Sequence, residues 1–170
     1  MRRPSRSRAR ARGLTAVEAA IGVAVLGSLL AVAVPACGRE LHASHFAEPT
    51  GGLARVQTAA LAQAQGRAAA DAFPAPAPLT PAAVPRGTRA ADPAGIWDHP
   101  TWRALDFRAS PDGVPHAYSF AFDSSPGAFV AHAHGDLDGD GITSTFEVRG
   151  VVDEGGARAL PGLYVADEVE

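Results

Sequence analysis

Between Gly13 and Cys37 the chain reads GLTAVEAAIGVAVLGSLLAVAVPAC, a run in which Glu18 is the only ionisable side chain before Cys37. As a helix, Leu14 to Cys37 would rise about 35 Å at roughly 1.5 Å per residue, enough to cross a hydrocarbon core of about 30 Å. Ahead of it stand Arg2, Arg3, Arg6, Arg8, Arg10 and Arg12. Cations on that side stay in the cytoplasm, so the expected topology is N-in, C-out in the inner membrane, with the C-terminal part exported. The acid is what needs explaining. A carboxylate costs about 2.5–3.5 kcal/mol at the bilayer centre and less near the interface. An ordinary signal peptide has a shorter apolar region of roughly 7–15 residues before its small-residue cleavage site. A segment that keeps Glu18 is expected to use it.

The whole chain has 170 residues, 46% of them apolar, with one cysteine and a net charge of −3. That apolar content excludes wholesale disorder, and a single cysteine excludes an intramolecular disulfide framework and any multi-cysteine metal centre. Beyond Gly13, nine Arg face eighteen acidic residues, a net −9, so the main body has no bulk charge for nucleic acid. No P-loop, dinucleotide fingerprint, nucleophile elbow or HExxH motif occurs, and the expectation is that the protein is not an enzyme.

Gly13, Leu14, Glu18 and Pro35 together resemble the N-terminal signature of the type IV pilin and type II secretion pseudopilin family. In that signature a basic leader ends in Gly, a hydrophobic residue follows, and Glu stands at the fifth mature position. Here Leu14 would be mature residue one and Glu18 the fifth, and Pro35 falls at the twenty-second, where the family commonly has a helix-bending proline. Leu14 departs from the commoner Phe or Met. The resemblance implies cleavage between Gly13 and Leu14 by a prepilin peptidase and N-methylation of Leu14. It also implies polymerisation with other pilin subunits on an assembly platform, into a filament in the periplasm or at the cell surface. The new amine of Leu14 in one subunit could then pair with Glu18 of its neighbour, a contact that sets register more than it adds stability. Ala20, Ala24 and Ser28, four residues apart, allow close helix approach. Val34-Pro35-Ala36-Cys37 supports a rival reading, a lipobox with Cys37 acylated in a lipid-anchored binding protein.

Downstream, Leu53, Val56, Ala60, Leu61 and Ala64 form an apolar stripe at helical spacing, opposite Arg55, Gln57, Gln63 and Gln65. Pro49 and the Gly51-Gly52 pair are expected to break or kink this helix. The segment FPAPAPLTPAAVP (73–85) should be extended loop, neither helix nor central strand. It also resembles a segment of some pilin-like proteins that continues to Trp97, Pro100, Trp102, Leu105 and Phe107, aromatics read here as packing. Tyr118, Phe120 and Phe122 alternate with polar or small residues, as do Phe129, Ala131 and Ala133 after Ser124-Ser125-Pro126-Gly127, a hairpin signal. Ile142, Ser144, Phe146 and Val148 continue the meander, and Leu163 to Val165 could add an edge strand. The predicted fold is α+β and pilin-like. It comprises a basic leader 1–13, a membrane and assembly helix 14–37, an amphipathic continuation 38–71 with kinks near Pro35 and Pro49, a proline-rich loop 72–116, and an antiparallel head of three or four strands, 117–170.

Asp136-Leu-Asp138-Gly-Asp140-Gly141 matches the start of a calcium loop, and Glu147 completes the string. Neither flank reads as a helix, and a strand from Ile142 would carry Glu147 about 17 Å away at roughly 3.3 Å per residue, so Glu147 is excluded. Two readings of Asp136, Asp138 and Asp140 stay open: a partial calcium site, or an acidic turn whose glycines supply positive φ. His132 and His134 share one side of a strand, with no third metal ligand evident in the sequence.

Overall fold

The computed structural model describes residues 15–167, without the side chains of residues 36–45. The arginine cluster, Gly13 and Leu14 lie outside the described residues, as does the side chain of Cys37. Two compact units are present, one ending at Ala43 and one starting at Ser44.

Helix α1 is assigned over Ala16–Ala64. In the first unit its segment Ala16–Pro35 is long and apolar enough to cross a membrane, and its side chains are exposed among the described residues. Such length and composition suit a membrane span or a signal sequence alike. The backbone stays helical through Pro35, Pro49, Gly51 and Gly52, so the expected break at Pro49 does not occur. Pro49 is buried, and the Thr50 hydroxyl donates to the Phe46 carbonyl at the turn that the proline leaves short of an N–H. Gly52 serves close approach: a Cβ there would lie 2.5 Å from the ring of Phe120.

The second unit is built on a six-stranded antiparallel sheet, which makes the chain α+β. Its strands are β1 (Ala77–Thr80), β2 (Tyr118–Ser125), β3 (Ala128–Gly135), β4 (Ser144–Asp153), β5 (Gly156–Ala159) and β6 (Tyr164–Ala166), with a short helix α2 (Pro100–Ala104) before β2. They run in the order β1-β2-β3-β4-β5, with β6 also pairing β4. Six strands replace the expected three or four because two lie where the pattern gives no signal. β1 sits inside the proline-rich segment, at the sheet edge, where Pro78 removes no needed ladder bond. β5 is short and lacks buried residues.

The central hairpin closes through Pro126-Gly127, with Ser125 opposite Ala128. Alternation puts Tyr118, Phe120, Phe122, Phe129, Ala131, Ala133, Phe146 and Val148 into one core that also holds Leu53, Val56 and Ala60 of α1. Trp102, Leu105 and Phe107 join that core, and Trp97 packs edge-on against both Trp102 and Phe107. Ile142 is not an inward strand residue. It is 51% exposed, and its N–H is taken by Asp140 Oδ1 at 2.7 Å, so the strand begins two residues later.

Candidate functional site

Glu18 stands in the first turn of the apolar helix and is exposed. Its Oε2 accepts from both the N–H and the hydroxyl of Thr15, each at 2.8 Å, while the Glu18 N–H donates to Thr15 Oγ1 at 3.2 Å. This is a capping box: the first-turn acid and the cap hydroxyl satisfy each other's amides. The T-x-x-E spacing of Thr15 and Glu18 carries that signal in the sequence, and it bears on what Glu18 does. Along the same segment Val17, Ile21, Val23, Leu26, Leu29 and Val32 are all more than half exposed. The Ser28 hydroxyl donates to the Ala24 carbonyl at 2.9 Å, which hides its polarity in an otherwise apolar surface.

The acidic turn follows β3. Asp136, Asp138 and Asp140 bring carboxylate oxygens within 4.8 Å of one another. Asp136 is buried, whereas Asp138 and Asp140 are exposed. Each carboxylate works inside the turn. Asp136 accepts from Gly139 N at 2.8 Å and Gly141 N at 3.1 Å, Asp138 from Asp140 N at 3.1 Å, and Asp140 from Ile142 N. Gly139 and Gly141 take φ of 84° and 97°, a backbone that side chains resist. Arg86 stands 3.7 Å from Asp136 Oδ2, and Gly87 N donates to the Asp136 carbonyl at 2.8 Å, which ties the proline-rich segment to the turn. Glu147 lies elsewhere, on β4, where it pairs with Arg149 and stands 3.6 Å from His132. The three aspartates could offer their remaining lone pairs to a hard cation, and their present geometry is accounted for by backbone donors.

A second polar knot joins segments far apart in sequence. Glu48 of α1 accepts from Ala117 N at 2.7 Å and Tyr118 N at 3.1 Å and pairs with Arg89. Asp92 accepts from Trp97 Nε1 at 2.6 Å and contacts His116 Nε2 at 2.7 Å, while His116 Nδ1 donates to the Tyr118 carbonyl at 2.8 Å. Between Glu48, Arg89, Tyr118 and Asp136 opens a cleft of about 360 Å³. The Tyr118 phenol is pushed above its ordinary pKa mainly by burial; a hydrogen bond from Ser144 acts against this, and the Glu48 charge adds to it. None of these partners is adjacent in the chain, so no local motif announces them.

On the opposite face of β3, His132 and His134 stack with ring centroids 6.0 Å apart and an interplanar angle of 11°. His132 Nε2 lies 3.2 Å from Asp123 Oδ2, and His134 Nδ1 lies 2.9 Å from Thr145 Oγ1. Burial holds the His134 pKa below its ordinary value, and the neighbouring His132 lowers it further. The strand register brings Asp123 of β2 and Glu147 and Thr145 of β4 beside the two histidines, neighbours that linear spacing does not show. No family model, curated protein or solved structure matches this chain.

Proposed function

We propose that this chain is a structural subunit of a type IV pilus-like or pseudopilus-like filament, cut after Gly13 by a prepilin peptidase and polymerised through its N-terminal helix. The observation that supports the reading is the apolar surface of Ala16–Pro35, exposed among the described residues, with a single acid in its first turn. A contiguous apolar surface of that extent marks a membrane or protein contact. In the proposal, lipid of the inner membrane covers it before assembly, and the helices of other subunits cover it afterwards in a periplasmic or surface filament. Glu18 gives the assembly its register by pairing with the Leu14 amine of a neighbour, and Pro35 bends the helix. The α+β unit beyond Ser44 is then the exported, pilin-like head.

Mass spectrometry of the mature N-terminus tests the proposal. A polypeptide beginning with N-methyl-Leu14 supports it. A chain beginning at Met1, or at an acylated Cys37 as in a lipid-anchored binding protein, refutes it. Under the same reading Glu18→Val is processed yet absent from sheared filaments, and normal incorporation would remove the role given to Glu18. Calcium at Asp136, Asp138 and Asp140 is a separate proposal, supported by the proximity of three carboxylates. A calcium-dependent rise in unfolding temperature, lost in Asp138→Asn, would uphold it, and no rise at millimolar calcium would dismiss it.

A further inference from the structure

We propose that the cleft between the Asp92–Asp98 turn and the Arg103–Asp112 segment is a carbohydrate site, which takes a pyranose ring of a neutral glycan. This goes beyond the filament reading and does not depend on it. The cleft lies within the second unit and has a volume of about 340 Å³, in the roughly 300–1,000 Å³ range of small-ligand sites. Its aromatic wall is Trp97, half-buried, with the buried Trp102 and Phe107 beside it. Trp97 Nε1 donates to Asp92 Oδ2 at 2.6 Å, and the ring packs edge-on against Trp102 at 5.5 Å and Phe107 at 5.6 Å. Trp102 is held in turn by its Nε1 donating to Thr80 Oγ1 at 3.0 Å, and the Phe107 N–H donates to the Trp102 carbonyl at 2.9 Å. A wall fixed in this way is formed before any ligand arrives, which spares the ligand the cost of ordering it.

The polar groups decide the class of ligand. Arg103 pairs with Asp98 at 3.0 Å and Arg108 with Asp112 at 2.7 Å, and all four border the cleft. A guanidinium has several N–H donors and a carboxylate several lone pairs, so neither pair is exhausted by its own contact. Asp106 adds another carboxylate from the left-handed turn after α2, where its φ is 47°. Asp92 is already occupied by Trp97 and His116. Donors and acceptors therefore stand side by side along the cleft. A cation would be opposed by two guanidinium groups, and an anion by the carboxylates next to them. A sugar hydroxyl donates and accepts at once, so it can answer both members of an ion pair, while the C–H face of a pyranose lies against the indole.

Saturation-transfer NMR on the full chain tests this, in a detergent that carries neither a sugar nor a quaternary ammonium headgroup. The probes are the methyl glycosides of glucose, galactose, mannose and N-acetylglucosamine and the matching disaccharides, set against choline and argininamide. Saturable binding of at least one glycoside is expected, together with protection of Trp97 from acrylamide quenching; Trp102 is fully buried and stays silent. Arg103→Gln and Arg108→Gln, at exposed side chains, should each weaken binding about tenfold, the loss of a hydrogen bond to a charged group. Trp97→Leu should abolish binding; circular dichroism shows whether this variant folds, and the two Gln variants carry the test where it does not. Absence of saturable glycoside binding up to tens of millimolar would overturn the assignment. So would glycoside binding that both Gln variants leave intact, or a cleft that takes choline or argininamide and no glycoside.

Discussion

Gly51 and Gly52 are adjacent in α1, and alanine at the two positions should act with opposite sign. At either site alanine relieves the intrinsic penalty of glycine in a helix, about 1 kcal/mol. At Gly51 nothing lies within 4 Å of the added methyl, so Gly51→Ala should stabilise by up to about that amount. At Gly52 the methyl would fall 2.5 Å from Cε1 and Cζ of Phe120. Carbon atoms rest at about 3.5–4.0 Å, so the ring must retreat by roughly 1 Å. Phe120 is 1% exposed and packs against Phe107 at 5.1 Å and Trp97 at 6.5 Å, so the displacement has nowhere open to go. Overpacking of this kind costs about 1–3 kcal/mol. The propensity gain is common to both variants and cancels between them. Gly52→Ala should therefore be less stable than Gly51→Ala by about 1–3 kcal/mol, some 2–12 °C in unfolding temperature at roughly 2–4 °C per kcal/mol. Thermal unfolding of the full chain in detergent, followed through the near-ultraviolet signal of Trp97 and Trp102, measures the difference. In a double-mutant cycle, Phe120→Leu should lower the cost of the added methyl. Equal stability of the two alanine variants would refute the contact between this turn of α1 and β2.

Two further outcomes follow from the polar groups of the head. Tyr118 has a raised pKa in the folded state, so the unfolded phenol ionises first, and stability should be full below pH ~10 and fall as pH rises from there through the folded value. Absorbance at 295 nm of Tyr164→Phe, which leaves Tyr118 as the one phenol, should show a midpoint above 10, and a midpoint at or below 10 would contradict the burial argument. In the acidic turn, Asp136→Ala removes a buried carboxylate that holds two backbone amides and should cost about 2–3 kcal/mol in urea unfolding. Asp138→Ala, at an exposed position, should stay within about 0.5 kcal/mol when calcium is absent, and equal losses would show that the turn is not organised around Asp136.

The sequence is most legible where a local pattern suffices. The apolar run after Gly13 and the alternation of Tyr118, Phe120 and Phe122 against Phe129, Ala131 and Ala133 need only local counting. Elsewhere the local rule gives way to tertiary contact. Pro49 and Gly52 read as helix breakers, yet one is buried and the other admits Phe120. Pro78 reads as a bar to strand formation, yet at a sheet edge it costs little. Ile142 fits the parity of the following strand, but Asp140 captures its amide and delays the ladder until Ser144. The pairings of Glu48 with Ala117, Asp92 with His116 and His132 with Asp123 join separate segments, so they depend on tertiary placement and not on spacing along the chain.

Under the filament proposal, Glu18 would carry an intermolecular role beside the local one it has with Thr15. Thr15 uses Oε2 for both of its donations, which leaves Oε1 for another donor. A cut after Gly13 would leave Thr15 as the second residue, with its amide intact, so processing would not dissolve the cap. The cap in turn would restrict the rotamers of the carboxylate, so a neighbour's amine would meet an acceptor already oriented. On this view Glu18→Val and Glu18→Gln should differ. Valine removes both the helix cap and the charge, whereas glutamine keeps a capping acceptor and loses only the charge. If glutamine restores incorporation into filaments, Glu18 acts through the helix terminus; if it fails as valine does, the ionic contact between subunits is what assembly requires.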